Sequence, residues 1–81
     1  MQLDIKGTVV WRHEAYPECE KCEQGMELLR ERGIRFATVV CDKSMFGALM
    51  AVTKSQNVPQ FHVKGEYVGG LDELETYLEK I

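Results

Sequence analysis

The chain has 81 residues, 44% of them hydrophobic and 28% charged, which is typical of one small globular domain and argues against a disordered, collagen-like or coiled-coil protein. Its formal net charge of −3 argues against a nucleic-acid-binding surface, which would need clustered Lys and Arg. Because its apolar runs are too short to span a bilayer and no secretory signal is recognised, the sequence predicts a soluble cytoplasmic protein.

The first half of the sequence predicts a strand, a helix and a second strand. Residues 8–11 (TVVW) are β-branched and aromatic, which is typical of a buried strand, and a polar loop follows them. Residues 19–32 carry apolar side chains at helical spacing, and Gly33 directly afterwards is a common helix stop. Residues 34–41 (IRFATVVC) then predict the second strand.

The second half of the sequence predicts a helix and a β-hairpin. Asp42 is a favourable N-cap for a helix over residues 43–56. Residues 60–64 and 66–68 flank Gly65, and they therefore predict two antiparallel strands joined by a tight turn.

A last helix completes the predicted fold. The glycine pair at residues 69–70 ends the hairpin, and residues 71–81 then predict an amphipathic helix with an acidic first turn. In the resulting order β-α-β-α-β-β-α, the strand–helix–strand opening implies parallel pairing, and the closing hairpin adds an antiparallel pair. The sequence therefore predicts one α/β domain with a four-stranded mixed sheet flanked by three helices.

Two of the three cysteines form a C-x-x-C motif at a predicted strand-to-helix junction. The unpaired N–H groups and the positive dipole end of the helix favour the thiolate of Cys19, which is the form that attacks disulfides. Cys22 lies one turn further along and is placed to resolve the mixed disulfide. Cys41 ends a predicted strand, so we expect it to be a buried spectator thiol.

Two interpretations of the pair without redox chemistry stay open. Cysteine is often buried as a small hydrophobic residue, and both thiols would then be inert. A structural zinc ion would need two further ligands, whereas Cys41, His13 and His62 are scattered singly along the chain. The sequence therefore predicts no metal ligands.

Pro59 adds a second feature, because it precedes a predicted strand, where the missing N–H group of proline is tolerated. Together with the cysteine pair it indicates a redox fold. The chain resembles the glutaredoxins of the thioredoxin superfamily over nearly its whole length. The resemblance is carried by residues 8–11, the C-x-x-C pair at residues 19–22, the helix end at residues 28–29, NVPQ at residues 57–60 and YVGGLDEL at residues 67–74.

The resemblance implies a single glutaredoxin-like domain over residues 1–81 with a thioredoxin-like fold. It also implies that Pro59 is a cis-proline facing the disulfide and that Val58 offers backbone groups to a bound thiol. A helix start that binds a carboxylate is physically reasonable for the γ-glutamyl end of glutathione. The resemblance accordingly implies glutathione contacts at Lys21, Gly70, Leu71 and Asp72.

The cysteine loop departs from the family pattern. Proline and an aromatic residue usually follow the first cysteine, whereas Glu20 and Lys21 stand here, and residues 17–18 (PE) replace a basic residue that often precedes the motif. Carboxylates oppose both a thiolate and an anionic tripeptide, and Glu18, Glu20 and Glu23 surround the thiol. We therefore predict a less acidic Cys19 and weaker glutathione binding than in a typical relative.

These features predict a dithiol oxidoreductase that reduces protein disulfides or glutathione mixed disulfides. The resemblance implies glutathione as the co-substrate, no bound cofactor, and a role as electron donor to a ribonucleotide reductase. The alternatives are a thioredoxin-like redoxin recharged by a flavoprotein reductase, and a metal or iron–sulfur binding module that uses the C-x-x-C pair. We expect a monomer that contacts disulfide-containing proteins and neither nucleic acid nor membrane.

Overall fold

Four strands and three helices follow one another along residues 7–80, the part of the chain that the computed structural model describes. They are β1 (Val9–His13), α1 (Glu20–Glu31), β2 (Ala37–Cys41), α2 (Lys43–Thr53), β3 (Gln60–Val63), β4 (Glu66–Gly69) and α3 (Leu71–Glu79). This is the predicted order. Residues 1–6, where no secretory signal was recognised, and Ile81, predicted as the end of the last helix, lie outside the described part.

One mixed sheet has the strand order β2-β1-β3-β4. β1 pairs parallel to β2 and antiparallel to β3, and β4 pairs antiparallel to β3. The β-hairpin turns at Lys64 and Gly65, whose φ angles of 53° and 87° lie in the left-handed region. Two-residue turns with both central residues at positive φ match the twist of the flanking strands, and this explains the tight connection. No helix within residues 7–80 is long and apolar enough to cross a membrane.

The hydrophobic residues form two clusters, one on each face of the sheet. The cluster beneath α1 and α3 consists of Val10, Cys22, Met26, Leu29, Phe61, Val63, Leu74 and Leu78. The cluster beneath α2 consists of Trp11, Cys41, Phe46 and Leu49. Because side chains alternate along a strand, neighbouring Val10 and Trp11 enter opposite clusters, and both are buried. The sheet is therefore the middle layer of three.

The end of α1 is built as the sequence predicts, with glycine just past the helix. Gly33 has a φ of +68°, and its N–H donates to the Arg30 carbonyl oxygen at 2.9 Å. The N–H of Ile34 donates to the Leu29 carbonyl oxygen, also at 2.9 Å. These two bonds form a Schellman motif, which satisfies carbonyls that the helix leaves unpaired.

The predicted boundaries of β1, β2 and α2 were wrong. β1 starts one residue later than predicted and continues to His13, because His13 still pairs with Cys41 of β2. β2 begins at Ala37, where parallel pairing with Val9 starts, and not at residue 34. α2 ends at Thr53, three residues earlier than predicted.

The early end of α2 has a cause in β3. Gln60 is fully buried there, and a buried amide needs hydrogen-bond partners. Its Nε2 donates to the Ser55 carbonyl oxygen at 2.9 Å, and its Oε1 accepts from the Thr53 hydroxyl at 2.8 Å. Lys54 lies between these partners in the left-handed conformation, with a φ of 61°. The helix therefore ends where the chain supplies the partners of Gln60.

A buried hydrogen bond joins β1 to β3. The indole N–H of Trp11 donates to Nδ1 of His62 at 2.9 Å, and both residues are less than one-tenth exposed. Nδ1 can accept only while the imidazole is neutral and carries its one proton on Nε2. Burial also lowers the pKa of His62 below its ordinary value of 6.5. The folded state therefore favours the neutral ring.

This imidazole makes stability depend on pH. Because the folded pKa of His62 lies below the unfolded one, the unfolded chain binds the proton more readily below pH 6.5. We expect the free energy of unfolding to fall as the pH drops from 6.5 towards the lowered folded pKa, and to be unaffected by His62 above that window. Urea unfolding from about pH 8 to about pH 5 would measure it. A His62→Gln variant, which accepts but does not titrate, should lose this slope; an unchanged slope would contradict the assignment.

Candidate active site

Cys19 and Cys22 lie at the start of α1 and are joined by a disulfide in the structure. Cys19 is the N-cap residue, with extended backbone, and its Sγ accepts a hydrogen bond from the N–H of Cys22 at 3.1 Å. Their Cα atoms are 5.2 Å apart. Cys19 is half-buried and Cys22 fully buried. A molecule from solvent can therefore reach the first sulfur and not the second.

The backbone at this helix start suits a thiolate. A sulfur at the N-cap faces N–H groups that have no partner within the helix, together with the positive end of the helix dipole. When the disulfide is reduced, the N–H of Cys22 is positioned to donate to a negatively charged Cys19 Sγ. The arrangement can therefore stabilise the nucleophilic form of one cysteine of the pair.

Arg12 is a residue of this site that the sequence analysis missed. One guanidinium nitrogen donates to the Pro17 carbonyl oxygen at 3.1 Å, and the other lies 3.8 Å from a carboxylate oxygen of Glu23. Arg12 therefore ties the loop before Cys19 to the first turn of α1. The only sequence signal was a cation at the end of the strand that leads into the cysteine loop, which does not reveal these contacts.

His13 also holds this loop, although the sequence analysis placed it within the loop itself. It is the last residue of β1, and its Nδ1 accepts from the N–H of Ala15 at 3.0 Å. Its ring makes edge contacts with Tyr16 and Phe46, at centroid distances of 5.7 Å and 5.1 Å. These contacts connect the loop to the core beneath α2.

The segment before β3 approaches Cys19 from the other side. The Val58–Pro59 peptide bond is cis, as the resemblance implies, and Pro59 is fully buried while Val58 is half-buried. A cleft of about 550 Å³ lies between this segment and the cysteine loop. It is lined by Tyr16, Glu18, Cys19, Glu20, Lys21, Gln56 and Val58. The structure thus brings the predicted residues Lys21 and Val58 to the same cleft as Cys19.

A second groove of about 630 Å³ lies on the α1 side of the same sulfur. It is lined by Pro17, Glu18, Cys19, Glu20, Glu23 and Gln24. Glu18, Cys19 and Glu20 line both depressions, so Cys19 lies between the two depressions, and each of them contains carboxylates. Tyr16 and Gln56 were not predicted from the sequence, because neither belongs to a motif.

The remaining predicted glutathione contacts line neither depression. Gly70 is the N-cap of α3, and a Cβ atom added there would lie 3.2 Å from Nδ2 of Asn57. Gly70 therefore approaches the segment that leads into Val58. Asp72 lines a separate groove between β4 and α3. The roles of Gly70, Leu71 and Asp72 stay predictions.

The third cysteine is separate from the pair. Cys41 is fully buried in the cluster beneath α2. Burial, and to a smaller extent the charge of Asp42, raises the pKa of its thiol. Within residues 7–80, no three His, Cys, Asp or Glu side chains converge as metal ligands would. Cys19 of the pair is thus the one cysteine within residues 7–80 that solvent can reach.

The carboxylates beside Cys19 should affect its ionisation. In a Glu18→Gln/Glu20→Gln variant we expect a lower pKa for the Cys19 thiol than in the parent, because two negative charges that oppose the thiolate are removed. The rate of alkylation of the reduced chain, measured against pH, gives this pKa. A Glu31→Gln/Glu79→Gln variant changes the net charge equally, and both residues are exposed at distant helix ends. Equal pKa values in parent and first variant would contradict this expectation.

Comparison with known proteins agrees with this geometry. The family model for glutaredoxin matches residues 8–68. The chain is 31% identical over 81 residues to monothiol glutaredoxin-4 of Schizosaccharomyces pombe, covering 98% of this chain and 31% of that protein. It is 31% identical over 62 residues to the hybrid peroxiredoxin hyPrx5 of Haemophilus influenzae, covering 75% of this chain and 26% of that protein. The chain thus spans about a third or less of the length of these relatives.

Solved glutaredoxins have the same fold. Glutaredoxin 1 from Francisella tularensis, crystallised with cacodylate, superposes with a TM-score of 0.73 at 18% identity, over 91% of this chain and 93% of that one. The buckwheat glutaredoxin–glutathione complex gives 0.74 at 23% identity, over 90% and 69%. The predicted thioredoxin-like fold is therefore confirmed. With its sequence match over residues 8–68, the chain belongs to the glutaredoxin family of the thioredoxin superfamily.

Proposed function

We propose that this domain is a dithiol oxidoreductase that reduces protein disulfides or glutathione mixed disulfides. The observation that carries the proposal is the unequal exposure of the pair, with Cys19 half-buried at the N-cap and Cys22 fully buried behind it. Such a pair separates an attacking thiol from a resolving thiol. Members of the glutaredoxin family are generally thiol–disulfide oxidoreductases, which supports the assignment.

In the proposed reaction, the Cys19 thiolate attacks one sulfur of the substrate disulfide and forms a mixed disulfide. The other substrate sulfur leaves as a thiolate and takes up a proton. Cys22 then loses its proton and attacks Cys19 Sγ, which releases the second substrate thiol. Two electrons pass from the dithiol to the substrate, and the disulfide seen between Cys19 and Cys22 is the oxidised product.

Glutathione is the proposed reductant that restores the dithiol. A buckwheat glutaredoxin of the same fold was solved as a glutathione complex, which supports this choice. Val58 lines the cleft that contains Cys19, and its backbone is the proposed pairing site for a thiol peptide. Lys21 in the same cleft offers a cation for a glutathione carboxylate. A flavoprotein reductase is the second candidate, because Glu18 and Glu20 in that cleft disfavour an anionic tripeptide.

A NADPH-coupled assay of the 81-residue chain tests the proposal when it is run twice. One run supplies glutathione with glutathione reductase, and the other supplies thioredoxin reductase. Turnover in the first run identifies a glutaredoxin activity, and turnover only in the second identifies a thioredoxin-like redoxin. Absence of turnover in both would refute the redox assignment. Donation of electrons to a ribonucleotide reductase and a cytoplasmic monomeric state stay predictions.

A further inference from the structure

Two carboxylates beside Cys19 form no ion pair with any residue that the structure describes. Glu18 and Glu20 are exposed, they flank the sulfur in sequence, and both line the two depressions on either side of it. Within residues 7–80 neither takes part in an ion pair, whereas Glu23 lies 3.8 Å from a guanidinium nitrogen of Arg12. Their negative charge is therefore available to whatever molecule approaches the sulfur.

The cations at the two depressions, Lys21 and the Arg12 guanidinium beside Glu23, are fewer than the carboxylates and leave an excess of negative charge. The two linings carry the three carboxylates of Glu18, Glu20 and Glu23, and one ammonium group, that of Lys21. The whole chain adds to the effect with a net charge of −3. A cleft of one sign concentrates ligands of the opposite sign and repels those of its own sign.

We infer that the preferred substrates are protein disulfides in which Lys or Arg stands next to the attacked cysteine. This inference rests on the proposed disulfide reduction, and it names the substrate class of that site. In an extended chain, consecutive Cα atoms are about 3.8 Å apart, so a neighbouring basic side chain easily reaches a carboxylate on either flank of Cys19. Glu18 and Glu20 are then specificity-determining residues, which attract the substrate and do not touch the exchanging sulfur atoms.

The test is a single turnover with the chain reduced beforehand and freed of reductant. Each reaction transfers two electrons and two protons from the Cys19–Cys22 dithiol to one peptide disulfide, so no recharging system is needed. Three peptides share one disulfide sequence and differ only in the residues beside the cysteines, which are Lys, Ser or Glu. At about 20 mM salt we expect the Lys peptide to react about tenfold faster than the Glu peptide, and at about 500 mM the rates should converge.

Two double variants test whether Glu18 and Glu20 cause the preference for the Lys peptide. The Glu18→Gln/Glu20→Gln variant should reduce the Lys-to-Glu rate ratio from about tenfold to about twofold or less. The Glu31→Gln/Glu79→Gln variant has the same net charge but alters residues outside both depressions, and it should keep the parental ratio. Using rate ratios within each variant removes any general change in the reactivity of Cys19.

The outcomes separate this inference from the proposed function. Reduction of all three peptides at equal rates at low salt would overturn the inference and leave the oxidoreductase assignment standing. An equal loss of preference in both variants would also overturn it, because the effect would then come from net charge alone. If the reduced chain transfers electrons to none of the peptides, the proposed function fails, and the inference fails with it.

Discussion

A Cys19→Ser variant should lose disulfide reduction by more than about a thousandfold, because a hydroxyl at this position cannot form the mixed disulfide. Cys22 cannot take over the attack, since it is fully buried behind the helix start. A Cys22→Ser variant should behave differently. It keeps Cys19, the nucleophile that solvent can reach, and loses only the thiol that resolves the mixed disulfide.

The two variants should therefore differ in which substrates they still reduce. Cys22→Ser should still reduce a glutathione mixed disulfide, because a second glutathione can attack the intermediate from solvent, and should lose most multiple-turnover reduction of a protein disulfide. The two substrates, assayed side by side with glutathione, measure this difference. Cys41→Ala is the matched control that removes a thiol remote from the pair. Full activity of Cys19→Ser on either substrate would contradict the assigned roles.

The order of the elements could be predicted because each is encoded locally. The glycine stop after α1 appears as a Schellman motif, and Asp42 caps α2 through a 2.7 Å bond from the N–H of Met45. The hairpin turn likewise follows from Lys64 and Gly65. Predicted boundaries were wrong where a residue distant in the sequence determines the end of a helix or strand. The end of α2 depends on the buried amide of Gln60, and the sequence of the helix itself does not indicate this partner.

The site shows the same division between local motifs and long-range contacts. The cysteine pair and Pro59 stand out in the sequence because each carries unusual chemistry or backbone restriction. Arg12 does not stand out in the sequence. It joins the cysteine loop to α1 only in the folded chain, where it contacts both Pro17 and Glu23. The bond from Trp11 to His62 joins residues 51 positions apart and was equally hidden.

Gly25 should tolerate no side chain, although alanine is the better helix former. It is buried within α1, and a Cβ atom there would overlap Cζ of Phe61 and lie 2.6 Å from Cε1 of the same ring. Phe61 is itself fully buried and cannot turn away into solvent. Overpacking a core lowers the free energy of unfolding by about 1–3 kcal/mol. The higher helix propensity of alanine raises it by about 1 kcal/mol. We expect Gly25→Ala to lower the free energy of unfolding by up to about 2 kcal/mol.

Urea unfolding of Gly25→Ala beside two further variants isolates the steric cause. Gly47 also lies within a helix, and nothing lies within 4 Å of a Cβ added there, so Gly47→Ala should instead stabilise the domain by up to about 1 kcal/mol. In a Gly25→Ala/Phe61→Leu double variant, the smaller side chain makes room, and the two losses should not add. Because Gly25 lies one turn beyond Cys22, the same clash would displace the helix that carries both sulfurs. A Gly25→Ala variant as stable as the parent would show that Phe61 has room to move.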